Sequence, residues 1–190
     1  VFTPFWKEAS SRLSDPLLLP EPDRWSAPPI SSLQPEDFGL LPDHPWTKGL
    51  AAAWMPGEAG AHRRFEQWIS GAIAEYSVHR EIPSGTRTSR LSPHLHFGEI
   101  SIRAVVKGML TQLLGLSGES SSGGNAWLRQ LYWREFGHYL LWHFPHTPHQ
   151  PLYTAYDDFP WRKDSAAFKA WRRGKTGYPI VDAGMRELWE

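Results

Sequence analysis

The chain has 190 residues, 41% of them hydrophobic, enough for one globular domain with a core. No stretch approaches the roughly 20 consecutive apolar residues of a membrane-spanning helix, and no signal-peptide pattern is visible, so a cytoplasmic protein without membrane association is expected. The absence of cysteine excludes disulfides and thiolate metal sites, and a net charge of zero argues against coating nucleic acid through bulk electrostatics.

Charge is unevenly placed: residues 1–60 carry 4 basic and 8 acidic side chains, leaving 16 basic and 12 acidic beyond them. The 11 tryptophans suit a dense aromatic core, or a site that stacks on a planar ring or conducts electrons. Ten of the 17 prolines lie at or before Pro56, and each removes a backbone donor and fixes φ, so regular helix is disfavoured there. Residues 1–57 therefore read as a proline-rich connector. Leu17 to Leu19, Trp25, Phe38, Leu40, Leu41 and Trp46 predict that it packs over a neighbouring domain.

From Glu58 the pattern changes to helical spacing, with Phe65, Trp68, Ile69, Ala72, Ile73 and Tyr76 on one face. A turn-rich stretch from Pro83 leads to Ser92, expected as an N-cap, with Pro93 at the first helical position. Ile102, Val105, Val106, Met109, Leu110 and Leu113 give another amphipathic helix. The glycine- and serine-rich stretch 115–124 reads as a flexible loop. Asn125 is then the expected N-cap of a strong helix with Leu128, Leu131, Tyr132, Phe136, Tyr139 and Leu140 inward. Asp164 caps a shorter helix carrying Phe168 and Trp171 on one face and ending at Gly174. A last helix starts near Pro179 and runs to Glu190 without a cap. No alternating strand is evident, so the class is all-α. The uncapped end, with Val1 in place of an initiating methionine, reads as a fragment.

Chemistry concentrates in three places. Thr88, Ser89 and Ser92 supply hydroxyls and Arg90 a guanidinium beside a helix start, which suits an anion such as phosphate, or equally an ordinary cap beside a solvated arginine. On the Asn125 helix, Trp127, Gln130 and Arg134 share a side, as do Gln130, Trp133 and Arg134. Such a face holds a planar heterocycle, or is an aromatic packing helix with a surface Arg–Glu pair. Arg162, Lys163, Lys169, Arg172, Arg173 and Lys175 form a basic run that fits a phosphate backbone or a solvated face. No metal site is expected, since Pro145 and Pro148 break the helix that would align His143, His146 and His149. No Ser/His/Asp order or paired-carboxylate pattern supports hydrolysis.

These segments, in this order, resemble the photolyase and cryptochrome family. Thr88 to Glu99 looks like its flavin phosphate loop, Trp127 to Phe136 like its flavin- and DNA-facing helix, and Ala170 to Arg186 like its most recognisable stretch. Val1 to Phe5 is similar to the exit from its antenna domain. The resemblance implies the N-terminal half of a photolyase-type helical FAD-binding domain at 58–190, preceded by the connector from an antenna domain outside the chain. It implies FAD contacts from Tyr76, Thr88, Ser89, Arg90, Leu91, Ser92, Trp127 and Arg134. DNA contacts would come from Arg80, Gln130, Leu131, Tyr132, Trp133, Arg134, Glu135, Phe136 and Gly137, with Trp133 against a flipped lesion.

Trp161 matches the outermost tryptophan of the relay that reduces the flavin. The implied activity is deoxyribodipyrimidine photolyase, a carbon–carbon lyase: reduced, excited FAD passes an electron to a cyclobutane pyrimidine dimer in ultraviolet-damaged DNA, the ring splits, and the electron returns. Alternatives are a (6-4) photoproduct photolyase, because Gln130 stands where dimer photolyases often carry Glu, and a cryptochrome photoreceptor, because Phe97 to Glu99 and Asp182 to Trp189 look close to plant-type cryptochromes. An antenna chromophore, folate or deazaflavin, is expected only on the antenna domain. The chain is expected to be monomeric, and inactive as a fragment, with weak FAD binding at most.

Overall fold

The computed structural model describes residues 1–24, 26, 30–41, 44–115 and 119–188, with backbone alone at 119–121. Among the described residues every regular element is helical, as the hydrophobic spacing predicts. The helices are α1 Phe2–Ser11, α2 Thr47–Ala53, α3 Glu58–Gly71, α4 Tyr76–His79, α5 Ser92–His96, α6 Ile102–Leu114, α7 Glu119–His143, α8 Ser165–Arg172 and α9 Pro179–Glu187. Two 3-10 turns lie at Pro35–Phe38 and Thr154–Tyr156. None of these helices is long and apolar enough to cross a membrane.

The chain forms two compact units, residues 1–25 with 55–152 and residues 26–54 with 153–190, so the proline-rich stretch is shared between them. In the first unit α7 packs against α1, α4 and α6, and α3 packs against α6. Its core joins Ala61, Phe65 and Trp68 of α3, Tyr76 of α4, Val105 and Met109 of α6, and Trp127, Leu128, Leu131, Tyr132 and Phe136 of α7. Val105 and Met109 are fully buried, and burying such a side chain contributes about 1.5–3 kcal/mol. Ser101 caps α6 by accepting from the Arg103 N–H at 3.2 Å. In the second unit α8 packs against α9.

Helix forms inside the proline-rich stretch despite the expectation of extended chain. Pro4 lies in the first turn of α1, where its missing N–H removes no intrahelical bond. Phe2 enters the core, with Phe5, Trp6 and Ala9 packed against it. Leu17, Leu19, Phe38, Leu40, Leu41 and Trp46 are exposed within this chain, and Trp25 lies outside the described residues.

Three helix boundaries differ from the sequence reading. The helix expected to continue through Tyr76 stops at Gly71, and a turn over 72–75 separates it from α4. Leu91, not Ser92, precedes α5, and Ser92 is its first residue. α7 begins at Glu119, so Asn125 is interior rather than a cap, and residues 119–124 are helix; residues 116–118 of the anticipated loop lie outside the described residues. The cause of the last difference is packing. A Cβ on Gly123 would stand 2.0 Å from the Ile73 carbonyl oxygen, and one on Gly124 would stand 2.5 Å from Leu113. These glycines let α7 approach the chain around Ile73, and that contact outweighs their poor helix propensity. Tyr139, expected inward, is 47% exposed.

Candidate functional site

The close approach of α7 assembles an aromatic cluster in the first unit. Trp68 lies edge-on to Tyr76 with ring centroids 5.8 Å apart, and it meets Trp127 at 4.5 Å. All three are buried. Arg80 follows one helical turn after Tyr76, its N–H donating to the Tyr76 carbonyl at 3.1 Å, and its guanidinium lies 5.4 Å from the Tyr76 ring centre. Burial raises the Tyr76 phenol above its ordinary pKa, and the nearby Arg80 charge opposes that shift.

The loop before α5 presents its polar groups outward. Thr88 and Ser92 are exposed and Ser89 is half-buried, whereas Leu91 is fully buried and anchors the segment. Arg90 has φ +52°, a left-handed backbone that costs a non-glycine residue about 1–3 kcal/mol and persists only when its surroundings fix it. Arg87 pairs with Glu75 at 3.2 Å. Since α5 has five residues, its macrodipole is small, and the hydroxyls, the main chain and Arg90 provide what this loop offers an anion. Leu91 is 1% exposed as a whole residue, and its carbonyl accepts from the Leu95 N–H.

On α7 the residues anticipated as one continuous contact surface divide between core and solvent, as eight consecutive helical residues must. Leu131, Tyr132 and Phe136 are core residues, whereas Trp133, Glu135 and Gly137 are exposed and Gln130 and Arg134 half-buried. Gln130 Nε2 donates to the Ala126 carbonyl at 3.3 Å, and Arg134 pairs with Glu135 at 2.7 Å. One face of Trp133 stacks on Phe2, with ring centroids 3.6 Å apart and planes 10° from parallel, leaving the indole 46% exposed. Arg129, not singled out from the sequence, lies 5.5 Å from the Phe2 ring centre and 6.0 Å from that of Trp6.

In the second unit Trp161 is 77% exposed, its ring centre 4.6 Å from that of Phe159. Asp164 caps α8 by accepting from the Ala167 N–H at 2.9 Å. α8 ends in a Schellman turn: the Gly174 N–H donates to the Trp171 carbonyl and the Lys175 N–H to that of Ala170, with Gly174 at φ +58°. Phe168 and Trp171 share a face, and both are exposed. Asp182 of α9 accepts from the Thr176 hydroxyl at 2.6 Å and from the Thr176 and Gly177 N–H groups. The Thr176 hydroxyl bond is the main cause holding this carboxyl below its ordinary pKa, and the main-chain donors add to it. Arg186 donates through Nε and Nη2 to the Gly174 carbonyl, locking α9 to the end of α8.

Another pairing escaped the sequence reading. His94 Nδ1 donates to Glu99 Oε2 at 2.5 Å, although the two residues are five positions apart and not on one helix. Gly98, at φ +72°, folds the chain back between them and is the only sequence signal of the turn.

Residues 127–190 match the family described as the FAD binding domain of DNA photolyase. A deoxyribodipyrimidine photo-lyase of Agrobacterium fabrum is 39% identical across all of this chain, which covers 40% of that protein. Arabidopsis thaliana cryptochrome-2 is 36% identical over 99% of the chain, which covers 32% of it. Among solved structures, a bacterial class III photolyase from Agrobacterium tumefaciens matches with a TM-score of 0.89 at 39% identity, over all of this chain and 39% of that one. The chain thus spans about two fifths or less of these relatives.

Proposed function

The chain belongs to the photolyase and cryptochrome family, and from that premise we propose that it is part of a flavoenzyme that repairs cyclobutane pyrimidine dimers in DNA under light. The observation that carries the reading is the exposed face of α7, where Trp133 is 46% exposed beside half-buried Gln130 and Arg134. Such a surface suits an intrastrand pyrimidine dimer turned out of the duplex stack.

FAD, when bound, supplies the light absorption and the transferable electron. The residues fit it at its phosphates: Thr88, Ser89 and Ser92 give hydroxyls and Arg90 a guanidinium on an exposed loop. Tyr76 and Trp127, buried in the cluster with Trp68, and buried Leu91 would back the cofactor site from within the core. Arg134, half-buried on α7, is the cofactor-side cation. Gln130 and Trp133 hold the lesion, and Arg80 and Gly137 line the DNA side. Leu131, Tyr132 and Phe136 support α7 from within the core, and Glu135 orients Arg134. The high exposure of Trp161 suits an outer relay tryptophan that exchanges electrons with external reductants. An antenna chromophore, folate or deazaflavin, belongs to chain outside these 190 residues. The protein acts as a cytoplasmic monomer.

Two observations favour other readings. The 36% identity to a plant cryptochrome favours a photoreceptor. Gln130, a neutral donor without the charge of Glu, favours (6-4) photoproducts. Dark binding of the full-length flavoprotein to duplexes carrying one cyclobutane dimer, one (6-4) photoproduct or no lesion separates the three. The repair reading expects tightest binding to the dimer and loss of that preference by about tenfold or more in Trp133→Ala, the scale of one aromatic–base stack. Equal affinity for all three duplexes refutes it.

A further inference from the structure

We infer that Glu99 is a positioning residue for the loop 86–92, holding α5 and that loop through His94; its ligand side rests on the FAD reading above. The link is closed in both directions. His94 Nδ1 donates to Glu99 Oε2 at 2.5 Å, and the Glu99 N–H donates back to the His94 carbonyl at 2.9 Å. His94 is 3% exposed, so its end of the bond is shielded from water. Two residues before it, Ser92 opens α5, and the Leu95 N–H bonds the carbonyl of buried Leu91 at 2.9 Å.

The consequence falls on Arg90. Its left-handed backbone is a strained conformer, and Leu91 and His94 are the anchors that hold the segment beyond it. Glu99 fixes His94, and so fixes the loop in the conformer that presents Thr88, Ser89 and Arg90 together. Released from Glu99, the loop relaxes, and a ligand must restore the strained conformer on binding. A competent fraction of about one tenth raises the apparent dissociation constant about tenfold. The carboxylate touches no ligand itself. It acts on the phosphate end of the site, and not on the aromatic cluster.

The test is Glu99→Ala, which removes the acceptor of the His94 bond, in the full-length protein, with two readouts. In the FAD-free protein, amide hydrogen exchange of Leu95 and Glu99, whose N–H groups bond the Leu91 and His94 carbonyls, quickens while the melting temperature and exchange elsewhere hold. Titrated with FAD, the variant binds about tenfold more weakly, yet each bound flavin keeps its absorption spectrum and its repair yield. Unchanged exchange at Leu95 and Glu99 overturns the proposal. So does quickened exchange throughout the protein, which makes Glu99 a general stabiliser. Should Glu99→Ala fail to fold, Glu99→Asp, which keeps the charge but draws the carboxylate back, is read in the same way. If the wild-type protein binds no FAD, the functional reading fails, and the exchange measurement still decides the role of Glu99.

Discussion

Replacing Gly123 with alanine pushes a methyl group into the main chain around Ile73. The new Cβ would lie 2.0 Å from the Ile73 carbonyl oxygen and 3.1 Å from that of Ala74, where real contacts do not fall below 3.0 Å. Backbone cannot rotate aside, so α7 must withdraw by about 1 Å, loosening Trp127 from Trp68 and the whole α4–α7 seam. Alanine recovers about 1 kcal/mol of helix propensity over glycine, while overpacking of this kind costs about 1–3 kcal/mol or more. A backbone clash at this distance belongs at the upper end, so the expected net loss is about 2 kcal/mol. Gly137 is the control on the same helix: nothing lies within 4 Å of its Cβ position, and Gly137→Ala is expected to gain up to about 1 kcal/mol. Urea denaturation followed by tryptophan fluorescence measures both. Equal stability of Gly123→Ala and wild type would show that residues 119–124 are a loop, as their composition suggests, and would refute the packing argument.

Other substitutions probe the remaining supports. Met109→Ala, at a fully buried position of α6, should lose about 2–5 kcal/mol by the same assay. Asp164→Ala removes the cap of α8 and should cost about 1 kcal/mol, seen as faster amide exchange confined to Ser165–Arg172. Asp182 has a lowered folded pKa, so its contribution to stability is present above the unfolded carboxyl pKa of about 4 and is lost as pH falls through the lower folded value. Asp182→Asn should therefore melt earlier than wild type at neutral pH, with the gap closing in acid; a gap independent of pH contradicts this.

The sequence revealed α3 and α6 because each buries one stripe against one neighbour, the condition under which helical spacing is visible. α7 was harder. It is packed on several sides by α1, α4 and α6, and its first turns are built from Gly123 and Gly124, whose value lies in the missing side chain. α1 was hidden by the proline density around it, although Pro4 sits where a helix tolerates proline. For the site, motif order supplied the residues but not their directions: a string from Gln130 to Gly137 names both faces of a helix. The His94–Glu99 link was invisible because it depends on one left-handed glycine between them.

The most direct measurement illuminates ultraviolet-irradiated DNA with the reduced full-length flavoprotein and quantifies both photoproducts by mass spectrometry against a dark control. The account predicts that cyclobutane dimers disappear only in the light while (6-4) photoproducts persist. Survival of the dimers after illumination would contradict it.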